Sequence, residues 1–408
     1  MTAIAPMPAV SSATPHAAPP PDSLLAAYKR GPVEFVRGNG IELFDANGKA
    51  YLDLAAGIAV NALGYGDAGL ERAMTDAMRS GIIHISNLYP SAPGRELART
   101  LAERSRFASK VFFCNSGAEA NEAAFKFARR WARATMGPEK FEIIALRGSF
   151  HGRLFASLAA TDRPAYRAPF RPLAGGVSVV ERDLLEIEEA LKHGTVCALI
   201  AEPVQGEGGV RVLDGTFLRG VRELTRKYGA ALILDEIQCG LGRTGSFFAY
   251  ERLGVVPDMV TLAKPMAGGL PMGAVLVSAP IAQAIQPGDH GTTFGGGPFV
   301  ASVAQYVVDR LAEPKLLESV RDNGAWLGDA LRGIAARSSK VRAVRGIGYM
   351  WGIDVSDRGG DVVARALDAG LLILTAGEHT LRLLPPLIAT RADLARGIAI
   401  LETVIGDR

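Results

Sequence analysis

Three short strand-like runs of apolar residues lie near the start of the chain, at Val33–Val36, Ile41–Asp45 and Tyr51–Leu54. Asn39-Gly40 separates the first two runs, and Asn47-Gly48 separates the second from the third. An Asn-Gly pair between strand-like runs is the strongest local signal for a β-hairpin. The pattern therefore predicts a small antiparallel meander.

From about Leu70 onward, helical and strand-like segments alternate. The candidate strands are Val111–Cys114, Glu142–Leu146, Val177–Val180, Cys197–Ala201, Ala231–Leu234, Met259–Leu262 and Ala274–Val277. Cys197–Ala201 and Ala231–Leu234 are apolar on both faces, as buried strands are. Ala120–Arg133 instead has a helical period, with apolar residues on one face and charged residues opposite. This alternation predicts an α/β fold whose sheet is covered on both sides.

After Pro298 the pattern predicts a second, smaller α/β unit. Its helices are expected at Val300–Ala312, Lys315–Ala336 and Ala392–Ile405, and its strands at Met350–Val355, Leu371–Leu374 and Leu381–Leu384. The predicted organisation is a tail over residues 1–22, an N-terminal segment over 23–69, a large domain over 70–297 and a small C-terminal domain over 298–408. The tail is rich in Pro and Ala and lacks the features of a signal or transit peptide, so we expect it to be disordered.

Composition and charge exclude several classes of protein. Lys and Arg number 45 and Asp and Glu 42, and a balance this close to neutral gives no electrostatic footprint for nucleic acid or an anionic membrane. No apolar run approaches the ~18 residues of a membrane span. The three cysteines lack a CxxC pair and the six histidines lack metal-ligand spacing, which argues against disulfides or a metal site. We expect a globular enzyme of a reducing compartment, the cytoplasm.

A strand, a tight turn and a helix start are predicted over residues 112–122. Ser116 and Glu119 have the spacing of a capping box, and small residues follow Ser116. Such a helix start leaves its first N–H groups uncovered, and together with the helix dipole they form an anion site suited to phosphate. An ordinary capped helix is the alternative that this motif alone leaves open.

The buried strand Ala231–Leu234 ends in Asp235-Glu236. A Mg²⁺-binding aspartate of a nucleotide hydrolase is one explanation, but the chain has no G-x-x-x-x-G-K-[ST] sequence. Gly240–Gly245 matches the dinucleotide string G-x-G-x-x-G, although five residues separate it from the strand and Pro257 interrupts the helix expected next. The pattern favours a third explanation, an aspartate in a sheet crevice that pairs with a protonated pyridine nitrogen.

Two further loops are expected at the same edge of the sheet. Lys264 follows the strand Met259–Leu262 and precedes small residues, so it could be desolvated there and form a Schiff base. The turn Gly148–Arg153 offers an aromatic ring, Phe150, and a cation, Arg153. A surface lysine, a packed phenylalanine and a solvated arginine are the ordinary alternatives.

In this order the segments resemble the class III (ornithine-type) pyridoxal-phosphate aminotransferases, from about Leu24 to the C-terminus. The motifs that carry the resemblance are Asn115–Ala124, Phe150–Arg153, Ala201–Gly209, Asp235–Gln238 and Lys264. The resemblance implies PLP-dependent transferase fold type I, in which a large domain with a mostly parallel seven-stranded sheet is joined by a smaller α/β domain made of the N- and C-terminal segments. It also implies pyridoxal 5'-phosphate as cofactor and a homodimer with a shared active site.

The resemblance implies roles for individual residues. Lys264 would bind the cofactor as a Schiff base and then carry the proton, and Asp235 would keep the ring nitrogen charged. The other cofactor-binding residues would be Ser116, Gly117, Ala118, Phe150, His151, Glu236, Ile237, Gln238 and Thr293 of the partner subunit. No metal is expected.

Within the class, the resemblance favours transamination of N2-acetyl-L-ornithine with 2-oxoglutarate, which gives N-acetyl-L-glutamate 5-semialdehyde and L-glutamate, a step of arginine biosynthesis. Arg153 would bind a carboxylate of either substrate and Arg382 the α-carboxylate of glutamate. Glu207 would pair with Arg382 while the first substrate is bound. Thr292 and Tyr89 are further pocket candidates. The alternative amino donors are ornithine, succinylornithine, succinyldiaminopimelate and 4-aminobutyrate.

Three positions depart from the family pattern. Residues Tyr65–Gly69 stand where the family usually continues with His and Pro, Thr292-Thr293 where Ser-Thr is common, and Gly297 where Asn usually precedes the proline. These departures touch the pocket region but remove no catalytic group. A dinucleotide oxidoreductase that uses Gly240–Gly245 is the competing function from another class, and a non-catalytic cofactor-binding relative is a third possibility.

Glycine is in excess, with 47 of the 408 residues. Many lie in four turns, at residues 206–209, 240–245, 268–269 and 291–297. A missing Cβ lets backbone approach a cofactor closely. We therefore expect these turns to cluster around Lys264.

Overall fold

The computed structural model describes residues 23–406, so the tail predicted over residues 1–22 lies outside the described residues. Residues 23–34 contain no helix or strand, and the chain from Phe35 onward forms a unit of its own. Within the described residues, no helix combines the length and the apolar character that crossing a membrane requires.

Strands and helices alternate along most of the unit. The strands are β1 (Phe35–Asn39), β2 (Glu42–Asp45), β3 (Ala50–Asp53), β4 (Ala108–Cys114), β5 (Glu142–Leu146), β6 (Val177–Val180), β7 (Val196–Ala201), β8 (Val204–Gln205), β9 (Arg211–Val212), β10 (Ala231–Asp235), β11 (Met259–Leu262), β12 (Gly273–Ser278), β13 (Val341–Ile347), β14 (Met350–Val355), β15 (Leu371–Leu372), β16 (Leu374–Thr375) and β17 (Thr380–Leu383). The helical segments are α1 (Ala56–Ala59), α2 (Ala68–Arg79), α3 (Ala92–Ser105), α4 (Gly117–Thr135), α5 (Phe155–Ala159), α6 (Pro164–Arg167), α7 (Leu184–Lys192), α8 (Gly215–Lys227), α9 (Ala279–Ala284), α10 (Pro298–Leu311), α11 (Pro314–Arg337), α12 (Gly359–Asp368) and α13 (Arg391–Ile405). Short 3-10 turns occur at Ala168–Phe170, Ala249–Arg252 and Lys264–Ala267.

A seven-stranded sheet forms the centre of the unit, in the strand order β4-β12-β11-β10-β7-β5-β6. Only β12 runs antiparallel to its neighbours. β7 and β10 are buried along their whole length, as their apolar sequences predict. All seven strands predicted for this sheet are present, and the carboxyl ends of its parallel strands meet at one edge.

Helix α4 shows how local sequence builds this edge. Ser116 Oγ accepts a hydrogen bond of 3.2 Å from the Glu119 N–H and caps the helix. The Glu119 carboxylate, however, accepts the N–H of Asn115 at 2.8 Å, so the reciprocal half of the predicted capping box is shifted by one residue. The buried face of α4 includes Phe127, and a phenylalanine buried in this way contributes about 1.5–3 kcal/mol.

Two four-stranded sheets are built from the two ends of the unit, one in the order β1-β2-β3-β15 and the other in the order β13-β14-β17-β16. β8 and β9 form a separate two-stranded sheet. The meander is present, but its first strand runs to Asn39 and not to Val36 as predicted, because Asn39 still pairs with Glu42. The predicted strand Leu371–Leu374 is broken at Ile373, since β15 pairs with β3 and β16 pairs with β17.

The division into domains stays a prediction. Every strand of the seven-stranded sheet comes from residues 108–278, whereas the two four-stranded sheets are built from residues 35–53 and 341–383. This segregation supports our proposal of a large central domain and a small domain made of both chain ends.

Candidate active site

The loops after β4, β5, β7, β10 and β11 line one cavity of about 390 Å³ at the edge of the seven-stranded sheet. This is the crevice in which open α/β sheets bind ligands. The predicted site residues that line it are Ser116, Gly117, Ala118, Phe150, His151, Arg153, Glu207, Asp235, Ile237, Gln238 and Lys264. The structure thus brings together residues separated by up to about 150 positions in the sequence.

The start of α4 is suited to hold an anion in this cavity. Gly117 and Ala118 are its first two residues, so their N–H groups have no carbonyl partner within the helix. Both residues line the cavity. A Cβ at Gly117 would lie 2.8 Å from the side chain of Ile237, so the glycine allows the helix start and Ile237 to approach each other. The arrangement suits the phosphate of pyridoxal phosphate.

Asp235 is buried and held by three donors or potential donors. Its Oδ2 lies 2.7 Å from Nδ1 of His151 and accepts a hydrogen bond of 2.8 Å from Asn121. Its Oδ1 accepts the N–H of Ile237 at 3.1 Å. These contacts stabilise a buried negative charge, which is the partner that a protonated pyridine nitrogen requires.

Sequence reasoning assigned no role to Asn121, although it lies within the α4 motif. Its side-chain amide also donates to the carbonyl of His151 at 2.7 Å, so it joins the Asp235 carboxylate to the loop after β5. The feature that identifies Asn121 as a candidate is its fully buried amide on a face of α4 that otherwise consists mostly of alanine.

Lys264 follows β11 and lines the cavity at this edge of the sheet. Its backbone φ is +37°. Left-handed backbone at a residue other than glycine is strained and is concentrated at functional sites. Burial lowers the pKa of Lys264, and the attraction of Asp235 opposes this shift without cancelling it. A lysine with a lowered pKa can serve as a nucleophile and as a base.

Glu202, which lines the cavity, is a second residue that sequence reasoning left without a role. One carboxylate oxygen accepts the N–H of Phe150 at 2.9 Å and the other accepts the N–H of Gly206 at 3.2 Å. Burial raises the pKa of Glu202 to about 7. The carboxyl group therefore ties the loop that carries Phe150 to the loop that carries Glu207.

Arg382, on β17, is paired with Glu207 at 2.7 Å. A second contact links it to the cavity, because its Nη1 donates to Oε1 of Gln238 at 3.2 Å. A Cβ at Gly206 would overlap Oε1 of Gln238, so the glycine allows the Gln238 side chain to occupy this position. Arg382, though itself 2 % exposed, is thus connected to two residues that line the cavity.

Arg153 has different surroundings. Its guanidinium carbon lies 3.5 Å from the ring centroid of Tyr166 and 5.8 Å from that of Phe150. Within residues 23–406, no carboxylate forms a salt bridge with it. An aromatic ring holds a guanidinium without neutralising its charge, so the charge of Arg153 is not offset by these contacts.

Besides Arg382, four predicted site residues do not line this cavity in this chain. The Glu236 carboxylate accepts the N–H groups of Ala249 and Tyr250, at 2.7 and 2.8 Å, and does not line the cavity. The other three, Tyr89, Thr292 and Thr293, line a separate open groove. Thr292 still reaches the first cavity indirectly, because Asn115 donates to its hydroxyl at 3.1 Å.

The expectation that the glycine turns cluster around Lys264 is wrong for two of them in this chain. Gly291, Gly295 and Gly296 line the separate open groove. Gly269 lines the cavity, but Gly240, Gly242 and Gly245 do not. Added Cβ atoms at those three positions would meet Glu236, Leu387 and Arg321 respectively. These glycines are packed against the protein itself, so the dinucleotide-like string Gly240–Gly245 forms no part of this site.

The cavity therefore combines an anion-binding helix start, a buried carboxylate and a lysine with a lowered pKa, and these groups fit pyridoxal phosphate. Within residues 23–406, no cluster of three or more His, Cys, Asp or Glu side chains is arranged to bind a metal. A protein-family profile described as "Aminotransferase class-III" matches residues 26–405. The chain belongs to the class III aminotransferases. As a member of this class, it uses pyridoxal phosphate and acts on a small amino donor and a keto acid.

Two relatives illustrate how much of this aminotransferase is shared. It is 45% identical over 383 residues to the mitochondrial acetylornithine aminotransferase of Alnus glutinosa, a match that covers 93% of this chain and 84% of the relative. It is 44% identical over 387 residues to the acetylornithine aminotransferase of Xanthomonas campestris pv. campestris, covering 93% and 95%.

Solved structures confirm the predicted fold class. The N-acetylornithine aminotransferase of Stenotrophomonas maltophilia matches with a TM-score of 0.81 at 39% identity, over 93% of this chain and 96% of that one. The ornithine aminotransferase of Toxoplasma gondii matches with a TM-score of 0.90 at 29% identity, over 94% and 92%. The ornithine aminotransferase thus has the higher TM-score although its sequence identity is lower. Backbone similarity therefore does not distinguish acetylornithine from ornithine as the amino donor.

Proposed function

We propose that this aminotransferase transfers the amino group of N2-acetyl-L-ornithine to 2-oxoglutarate, giving N-acetyl-L-glutamate 5-semialdehyde and L-glutamate. The observation that carries the proposal is the pair of arginines at one cavity, Arg153 with its charge free and Arg382 with its charge covered by Glu207. The names of relatives at 44–45% identity support the choice of amino donor.

The residues around Lys264 support a division of labour. Pyridoxal phosphate supplies the electron sink when it is bound. Lys264 would attach the cofactor and move the proton, Asp235 would hold the ring nitrogen charged, and the N–H groups of Gly117 and Ala118 would bind the phosphate. Ile237 and Phe150 would pack on the two ring faces, His151 would orient Asp235, Ser116 would cap the phosphate-binding helix, and Gln238 would reach the phenolic oxygen.

The two arginines explain how one pocket accepts two differently placed amines. In our proposal Arg153 binds the carboxylate of the acylated ornithine and the side-chain carboxylate of 2-oxoglutarate. Arg382 binds the α-carboxylate of glutamate, which displaces Glu207. While the first substrate is bound, Glu207 covers a buried charge that would otherwise be unpaired.

We also propose a homodimer with a shared active site. The groove that holds Tyr89, Thr292 and Thr293 is bordered by exposed apolar side chains, including Leu88 and Phe294, which are 87% and 63% exposed. Exposed apolar patches of this kind mark interaction surfaces. Thr293 would bind the phosphate in the partner's cavity, and Tyr89 and Thr292 would line that pocket. The three cysteines are free and buried, which supports a reducing compartment, the cytoplasm.

The test is an amino-donor panel with 2-oxoglutarate, in which acetylornithine, ornithine, succinylornithine, succinyldiaminopimelate and 4-aminobutyrate are compared by kcat/KM. We expect acetylornithine to give the highest value, and a clear preference for another donor would reject the substrate. Borohydride should bleach the bound cofactor and label the peptide that contains Lys264, and Lys264→Ala should abolish both effects. Light scattering should give about twice the chain mass of 43.0 kDa.

A further inference from the structure

The segment α1 is a left-handed turn and not an ordinary helix. Its φ angles are +48° at Ala56, +60° at Gly57, +67° at Ile58 and +64° at Ala59. Left-handed backbone costs little at glycine but is unfavourable at alanine and especially at a β-branched residue such as Ile58. Four such residues in a row persist only where their surroundings hold them.

A buried carboxylate and a tyrosine hold this turn. Oδ1 of Asp53 accepts the N–H groups of Ala55 and Ala56, at 2.8 and 2.9 Å. Oδ2 accepts the hydroxyl of Tyr65 at 2.6 Å, and that hydroxyl accepts a hydrogen bond of 3.1 Å from Asn61. The network therefore joins the residues before the turn to the residues after it.

The turn lies between this network and the lysine. It packs against the 3-10 turn Lys264–Ala267, and Val60, the residue that follows it, lines the cavity. Lys264 has left-handed backbone as well. Two strained segments are thus in contact.

We propose that Tyr65 is a positioning residue for Lys264, because its hydrogen bond to Asp53 holds the left-handed turn and the turn holds the backbone at Lys264. Tyr65 is also one of the positions at which the sequence departs from the family pattern. The proposal rests on the proposed role of Lys264 only for its functional consequence, since the packing is independent of substrate.

Tyr65 is well suited to this task. Burial and the neighbouring Asp53 raise the pKa of its hydroxyl, which therefore remains a donor across the neutral range. Gly38 makes room for the ring, because a Cβ there would lie 2.7 Å from Cγ of Tyr65. The backbone of Tyr65 is fixed too, by reciprocal hydrogen bonds with Gly40 of 2.7 and 2.8 Å.

Hydrogen exchange of the full-length protein, with and without pyridoxal phosphate, tests the proposal. In Tyr65→Phe we expect the amides of residues 55–61 to exchange at least about tenfold faster, as loss of a hydrogen bond to a buried carboxyl group implies. The matched control is Tyr51→Phe, which removes a tyrosine–aspartate bond of 3.3 Å to Asp45 in the same sheet but away from the turn. Equal exchange in the two variants would overturn the proposal.

The holoenzyme provides a second readout. The visible absorbance of the cofactor bound to Lys264 is followed as the pH is varied. The pH midpoint of its change should shift in Tyr65→Phe and stay unchanged in Tyr51→Phe. Adding Ile58→Gly to Tyr65→Phe should restore at least half of the lost protection, because glycine accepts positive φ; an unchanged midpoint or no recovery would count against positioning through the turn. If borohydride fails to label Lys264 in the wild type, the proposed function fails instead, while the exchange result still reports on the turn.

Discussion

Nη2 of Arg382 lies 2.7 Å from Oε1 of Glu207, and the two partners differ in their freedom to move. The arginine side chain is 3% exposed and the glutamate side chain 24%. The carboxylate can turn towards solvent, whereas the guanidinium is enclosed and also bound to Gln238. The glutamate is therefore the more exposed half of the pair, which supports the proposal that it yields to an incoming α-carboxylate.

Removing the charge of Glu207 should impair the half-reaction with acetylornithine but not the half-reaction with 2-oxoglutarate. In Glu207→Gln the charge of Arg382 stays uncovered, so we expect kcat/KM for acetylornithine to fall by about tenfold or more, because an uncompensated buried charge is costly. The KM for 2-oxoglutarate should stay the same or fall. Steady-state kinetics of each half-reaction checks this.

The control for that variant is Glu402→Gln, which removes an exposed carboxylate paired with Arg337 at 2.8 Å. It should leave both substrates unaffected. If Glu207→Gln weakened both half-reactions equally, Glu207 would be a general structural residue and not a cover for Arg382.

Asn121 should govern how tightly the cofactor is held. Asn121→Ala removes a 2.8 Å hydrogen bond to the Asp235 carboxylate. Hydrogen bonds to charged groups contribute roughly 1.5–3 kcal/mol, so we expect the dissociation constant of pyridoxal phosphate to rise at least about tenfold. Fluorescence titration measures it, and Asn323→Ala, which removes a 3.0 Å bond to Ser319 on α11, should change nothing. An unaltered affinity in Asn121→Ala would contradict the role.

Tyr166 should act through the aromatic face that it presents to Arg153. Tyr166→Leu should raise KM for both substrates by about two- to fivefold at constant kcat, which is the range of an exposed cation–π interaction of roughly 0.5–1 kcal/mol. Tyr166→Phe keeps the ring and should behave as the wild type. A loss of similar size in both variants would assign the effect to the hydroxyl.

The sequence predicted the large sheet well because its strands are encoded locally. β7 and β10 are continuous apolar runs, which is the pattern typical of strands buried on both faces. The chemical residues follow those runs, so the edge where Asp235 and Lys264 meet could be inferred from strand direction alone.

Contacts between distant residues could not be predicted in this way. Asn121 and Asp235 are 114 positions apart, and nothing in the local pattern of α4 indicates which strand end its buried amide faces. The left-handed turn at Ala56–Ala59 was missed for a related reason. Its conformation depends on Asp53 and Tyr65 and not on the propensities of alanine and isoleucine.

Two buried glutamates make the stability of the fold depend on pH. Burial raises the pKa of Glu202 to about 7 and that of Glu236 to about 8, from 4.5 for the unperturbed group. Between these values and 4.5 the folded protein binds more protons than the unfolded chain. Their contribution to stability is therefore fully present below about pH 4.5 and is lost as the pH rises through 7 to 8.

Glu236 allows this dependence to be measured apart from cofactor binding, because it does not line the cavity. In Glu236→Gln, Tm should fall less steeply between pH 5 and 8 than in the wild type, by about 1–2 °C per pH unit. The absolute Tm should also be lower, since one of the N–H groups of Ala249 and Tyr250 loses its acceptor. Calorimetry of the holoenzyme checks both effects. Glu181→Gln, whose exposed carboxylate pairs with Arg147 at 2.7 Å, should keep the wild-type slope. An unchanged slope in Glu236→Gln would show that this carboxyl group is already ionised across the range.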